Sequence, residues 1–169
     1  IAESAPDIDW ETKIEADLAL ADFYTYSESY NRARRMYAAT WEFLSADPER
    51  LDARARLLEQ PVVLFQKRLP TQVFDRNVGK EPVMSGTVVV DYNVSPRGRV
   101  RSLRTEANPA EFTEMQRVVH REIRSRIFRP MMVDGEPTAS GNIRLKHEFL
   151  YRQSDLNALK STAEETSST

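Results

Sequence analysis

The feature that most constrains this chain is a change of hydrophobic period partway along it. From Trp10 to Leu58 apolar residues recur every three or four positions, the spacing of one helix face. From Gly86 onward they recur every second position in two stretches, the spacing of one strand face. A chain of 169 residues with this switch is confined to an α+β arrangement, helices first and a small sheet after. Charge changes sign near the same place. Residues 1–60 carry 13 acidic and 7 basic side chains, residues 61–152 carry 10 and 16, and residues 153–169 carry 3 and 1. Opposite signs on the two halves argue for units with different roles, or for mutual attraction.

The acidic half predicts three helices. Trp10, Ile14, Leu18 and Ala21 share one face, with Asp7 or Asp9 available as the N-cap. Tyr30, Ala33, Tyr37, Thr40, Trp41 and Leu44 form a second stripe behind Ser27 or Ser29. A third helix starts at Asp47 with Pro48 in its first turn, presents Leu51, Ala55 and Leu58 on one face, and ends at Pro61. Leu20, Ala21, Tyr24, Ala33 and Tyr37 have the spacing of one tetratricopeptide repeat, and the segment resembles that family. Thr40 stands where the family has Ala, the closing proline is displaced to Pro48, and no second copy follows. An ordinary three-helix unit fits the same residues. A single unit of either kind lacks the long concave groove of a solenoid.

The basic half predicts a β-β-α-β domain. Residues 61–85, punctuated by Pro61, Pro70 and Pro82, read as linker with a short edge strand at most. Val88, Val90, Tyr92 and Val94 alternate with Thr87, Val89, Asp91 and Asn93 as a first strand. Ser95-Pro96-Arg97-Gly98 is a turn, and a second strand runs from about Arg99 to Thr105. Asn108-Pro109-Ala110-Glu111 has the form of a capped helix start, and Phe112, Met115, Val119, Ile123 and Ile127 step by three or four until Pro130. Asp134-Gly135 is a turn, and Ile143, Leu145, His147, Phe149 and Tyr151 form a third strand. The expected fold is a helical hairpin plus capping helix over 1–60, a linker over 61–85, a three-stranded antiparallel sheet packed on a helix over 86–151, and a polar tail over 152–169 that is disordered beyond about Lys160.

The run Gly86–Val94, then Gly98-Arg99-Val100, Phe112, Phe128-Arg129-Pro130, Asp134-Gly135-Glu136-Pro137 and a closing strand near Phe149, resembles the TonB C-terminal domain over about residues 70–151. The resemblance implies a bacterial periplasmic module linking inner-membrane energy to outer-membrane receptors. It also implies that the last strand, Asn142 to Leu150, is the edge receiving a partner. The family's Tyr-Pro pair before the first strand is missing, with Leu69-Pro70 in that region, which puts direct receptor contact in doubt. The chain begins at Ile1 and not Met, which leaves open a signal peptide or an anchor ahead of it. Membrane association is expected only with such an anchor.

Composition narrows the chemistry. There is no cysteine, so no disulfide framework and no thiolate chemistry. His147 lies on an apolar strand face and His120 in a basic helical run expected to be solvated. Two separated histidines without a carboxylate cluster make a poor metal site. No phosphate-binding loop, dinucleotide fingerprint or nucleophile elbow is present, so neither a cofactor nor catalysis is expected. No apolar run of 18 residues exists to span a membrane as a helix.

What remains is binding. Arg97, Arg99 and Arg101 alternate and are expected to project from one strand face, as are Arg144 and Lys146 on the last strand, giving a patch for an anionic partner such as peptidoglycan. Nucleic acid is not expected, because no aromatic side chains interleave with these cations. The expectation is a non-catalytic module. It adds an extended segment of an outer-membrane receptor or other envelope protein as an extra strand along Asn142, Arg144, Lys146 and Glu148, with an acidic segment preferred. The alternative is a scaffolding adaptor whose edge is covered by residues 61–69 or paired in a homodimer.

Overall fold

The computed structural model describes residues 9–74 and 81–167. The alternative cap Asp7 and the tail residues Ser168 and Thr169 lie outside the described residues. The fold is mixed α+β, and its contacts divide into two compact units that interleave in sequence. One unit comprises Ile1–Phe65, Val94–Arg99 and Ile127–Ser140; the other comprises Gln66–Asn93, Val100–Arg126 and Gly141–Thr169. The expected division at residues 60 and 86 therefore does not hold. The first unit is completed by two segments from beyond that boundary, Val94–Arg99 and Ile127–Ser140.

The first unit is built on α1 (Trp10–Tyr26) and α2 (Tyr30–Ser45). Asp9 caps α1, its side chain accepting from Glu11 N–H. Ile14, Leu18 and Ala21 of α1 pack with Ala33, Tyr37 and Leu44 of α2, all buried, as the periodicity requires. Asp47 caps a single 3₁₀ turn, Pro48–Arg50, that leads into α3 (Leu51–Leu58). The expected face of α3 is corrected. Leu51 and Ala55 are exposed, while Ala53, Leu57 and Leu58 turn inward, so the helix packs through the side carrying Leu57 and Leu58.

The supposed linker contains β1 (Val62–Phe65), which pairs antiparallel with β4 (Ile127–Arg129). The following hairpin, β5 (Met131–Val133) and β6 (Glu136–Thr138), turns on Asp134 and Gly135, both at positive φ. That is the backbone a two-residue hairpin loop needs, and Asp-Gly supplies it. Met132 of β5 is fully buried in the helical core. The helices thus do not close their own core; a segment more than 70 residues later in sequence finishes it. Gly98, at φ +70, ends the Ser95–Gly98 turn. A Cβ there would fall 1.9 Å from the Phe128 carbonyl oxygen, so only glycine fits.

The second unit holds a three-stranded sheet of order β3-β2-β7, from β2 (Val83–Val94), β3 (Val100–Asn108) and β7 (Ile143–Arg152). α4 (Thr113–Arg124) packs on β3, burying Met115, Val119 and Ile123 as the stripe predicts. Two details of that stripe are corrected. β3 continues through Asn108, so Asn108 is extended and caps nothing; the chain turns over Pro109–Phe112 and α4 opens at Thr113. The helix ends at Arg124, and Ile127 belongs to β4, so Pro130 does not terminate it. Phe112, Phe149 and Tyr151 form an aromatic cluster with ring centroids 4.7–6.1 Å apart. Gly86 lies directly opposite Phe149, whose ring covers the space a side chain would take. The tail expected to be disordered forms α5 (Gln153–Ser167). Its start is tied by Arg152 N–H to Asp155, and by Ser154 N–H and hydroxyl to Glu81, bonds that hold the Glu81 carboxyl below its ordinary pKa.

Candidate functional site

The second unit presents a strand edge whose backbone polarity can be worked out residue by residue. β7 pairs with β2 in unbroken antiparallel register from Val83 opposite Arg152 to Tyr92 opposite Ile143. β2 lies between β3 and β7, so among the described residues the far side of β7 has no full-length strand against it. At Leu150 that far side is in use. Leu150 N–H donates to Thr71 O at 2.9 Å, and Val73 N–H donates to Leu150 O at 3.0 Å, a parallel bridge centred on Gln72.

These two bonds fix the phase of the strand. In a regular antiparallel strand, residues alternate between bonding one neighbour and facing the other side. Leu150 faces away from β2, so Glu148, Lys146 and Arg144 do too. Their N–H and C=O groups point outward and find no backbone partner among the described residues. The odd-numbered residues carry the ladder to β2. The open stretch runs from Asn142, just ahead of β7, to Glu148, and ends where Thr71–Val73 begins.

Side chains alternate as well. Arg144, Lys146 and Glu148 are exposed on one sheet face, whereas Ile143, Leu145 and His147 are half-buried on the other. His147 is satisfied by a backbone carbonyl, Nε2 to Pro70 O at 2.7 Å, consistent with a structural histidine. His120, expected to be solvated, is half-buried with Nδ1 3.3 Å from Thr105 Oγ1. At the opposite edge of the sheet, Gln116 Nε2 donates to Thr105 O at 2.7 Å, spending a β3 carbonyl, and Ser102 at φ +52 breaks the strand's alternation.

The two β7 cations of the expected basic stripe are not bare. Arg144 Nε lies 3.7 Å from Asp91 Oδ1, its cross-strand neighbour, and Lys146 Nζ lies 3.2 Å from Glu148 Oε1. Each cation on this edge thus has its own carboxylate. Arg97, Arg99 and Arg101 are divided between the two units. β3 begins only at Val100, so Arg97 and Arg99 belong to the turn and to the first unit. There the Arg97 guanidinium sits 5.3 Å from the Tyr30 ring centroid, and Arg99 pairs with Glu28 at 2.7 Å. Arg101 remains in the second unit and bonds the Val100 carbonyl at 3.2 Å.

Three contributors to the edge were not foreseen: Leu150 as the residue that sets the phase, Thr71–Val73 as the segment bonded to it, and Asp91 as the carboxylate facing Arg144. Only Asp91 left a sequence signal, because the register of two alternating strands places it opposite Arg144. Against known proteins, the chain matches no protein-family model and no curated protein.

Proposed function

We propose that this chain is a non-catalytic protein-interaction module that captures an extended partner segment by strand addition along β7, in the manner of a TonB C-terminal domain in a bacterial periplasm. The observation that carries this reading is the run of outward backbone pairs at Arg144, Lys146 and Glu148, beside Leu150, where Thr71 and Val73 already bond to the same side. A segment of four or five residues would satisfy all three pairs. Its side chains would fall alternately beside Ile143 and Leu145 and beside Arg144 and Lys146. Because both cations have carboxylate partners, an acidic segment gains less than the bare sequence suggests. The half-buried apolar side chains contribute the rest of the selection. An outer-membrane receptor or another envelope protein is the partner class that the resemblance supplies.

The test is a titration of ¹⁵N-labelled protein with synthetic extended segments from candidate envelope partners. Amide shifts confined to residues 142–148 and their β2 neighbours support the proposal. Saturable binding that leaves these amides unmoved rules this edge out. The bridge at Leu150 favours a second reading, a scaffolding adaptor whose edge is closed by its own chain. Val73→Pro removes one of the two bonds of that bridge. Tighter peptide binding in this variant supports the module; loss of domain stability with no peptide binding in either protein supports the scaffold.

A further inference from the structure

The outer face of α1 is apolar, as is its buried face. Opposite Ile14, Leu18, Ala21 and Thr25, the residues Thr12, Ala16, Ala19, Phe23 and Tyr26 follow one another at steps of four and three. All five are exposed; Phe23 is 60% and Tyr26 52% accessible, and Leu20 beside them 44%. The charged residues Glu11, Lys13, Glu15, Asp17 and Asp22 flank this stripe, and steps of four and three are the spacing of a seam that packs knobs into holes on another helix.

The order of sizes along this seam identifies the occupant. Two small residues come first and two aromatic residues follow. Two α1 helices placed antiparallel about a twofold axis at the height of Ala21 set Ala19 against the partner's Phe23 and Ala16 against the partner's Tyr26. By symmetry each aromatic side chain also meets a small residue, which gives four layers of large against small. A parallel pair would stack Phe23 on Phe23 and leave Ala16 facing Ala16.

Area sets the strength. Aromatic side chains of about 150–250 Å² at these exposures leave roughly 100 Å² open on each. With Leu20 and the small residues the face amounts to about 400 Å² per copy, below the ~800 Å² per partner of a standard interface and within the range of reversible encounters. We propose that the outer face of α1 is a weak self-association surface on which a second copy of this chain docks its own α1 antiparallel, Phe23 and Tyr26 over Ala19 and Ala16. The surface is separate from the β7 edge and does not depend on its function.

Sedimentation equilibrium of the whole chain from about 10 μM to 1 mM tests this. The parent is expected to shift toward twice its monomer mass across that range; a strict monomer at 1 mM overturns the proposal. Phe23→Ala and Ala19→Phe are each expected to weaken association about tenfold or more, the first by removing a knob and the second by filling a hole. Ala19→Phe adds apolar surface, so stronger association in that variant would mean non-specific adhesion and overturn the proposed fit. The double variant Ala19→Phe with Phe23→Ala exchanges knob and hole in every copy and is expected to restore association toward the parent value. A double variant no better than either single one overturns the antiparallel register. Circular dichroism on each variant confirms that these exposed positions leave the fold intact.

Discussion

Arg129 and Asp22, 107 residues apart in the chain, are joined by two parallel hydrogen bonds, Nε to Oδ1 at 2.9 Å and Nη2 to Oδ2 at 2.7 Å. The pair is mostly out of water, with side chains 10% and 18% exposed. Arg129 Nη1 also donates to Leu57 O at 2.9 Å, and Asp22 Oδ1 also accepts from the Tyr37 hydroxyl at 2.8 Å. One guanidinium thus ties α1, α3 and β4 within the first unit. Burial alone would lower its pKa; the bonds and charge of Asp22 outweigh that and hold it above the ordinary arginine value.

Removing one partner of this pair leaves the other charged and short of solvent. Arg129→Met and Asp22→Leu are each expected to cost about 3 kcal/mol, and the double variant clearly less than the sum. Urea unfolding of the four proteins measures this cycle. Single losses under about 1 kcal/mol would place the pair with ordinary surface bridges.

Tyr37 gives a test in alkali. Its hydroxyl is raised well above the usual tyrosine range, first by burial and then by the Asp22 charge. A raised folded-state pKa contributes stability fully below the unfolded pKa, about 10, and loses it as pH rises further, because the unfolded tyrosine ionises while the buried one does not. Stability is expected to fall above pH 10 by about 1.4 kcal/mol per pH unit from this residue. Tyr37→Phe should cost about 1–2 kcal/mol at neutral pH through lost hydrogen bonds and flatten the alkaline limb. An unchanged limb in that variant would assign the decline to other groups.

The phase of β7 predicts an alternating pattern of amide exchange. The N–H groups of Arg144, Lys146 and Glu148 should exchange rapidly, while those of Leu145, His147 and Phe149 are protected by the ladder to β2. Uniform protection from 143 to 149 would mean that the outer side is covered. Lys146→Pro should leave the ladder largely intact, whereas Leu145→Pro should destabilise the sheet by about 3 kcal/mol or more.

Two glycines separate backbone constraint from open space. Gly98→Ala must hold an L side chain at φ +70 against the Phe128 carbonyl and is expected to cost at least about 2 kcal/mol. Gly141→Ala meets nothing within 4 Å and should be neutral or slightly stabilising. Thermal melts of both variants decide; equal effects would contradict the close approach at Gly98.

The sequence by itself determined the helices and strands along most of the runs of apolar residues that kept one period. Trp10–Ala21, Tyr30–Leu44, Val88–Val94 and Ile143–Tyr151 all show it, because period and burial are two expressions of one face. Local chemistry also sufficed for the Asp47 cap and the Asp134-Gly135 turn, and narrowed the first cap to Asp7 or Asp9, because the deciding contacts lie within three residues. Strands of three or four residues, β1, β4, β5 and β6, carry too few residues to show a period, so their pairing was decided by what lay across from them. The tertiary structure alone decided that Met132 finishes the helical core, that Arg129 finds Asp22, and that Arg144 and Lys146 meet carboxylates and do not make a bare basic stripe. Each of these outcomes depends on a partner remote in sequence or on the other strand. A linear pattern records which side a residue faces but not what stands there.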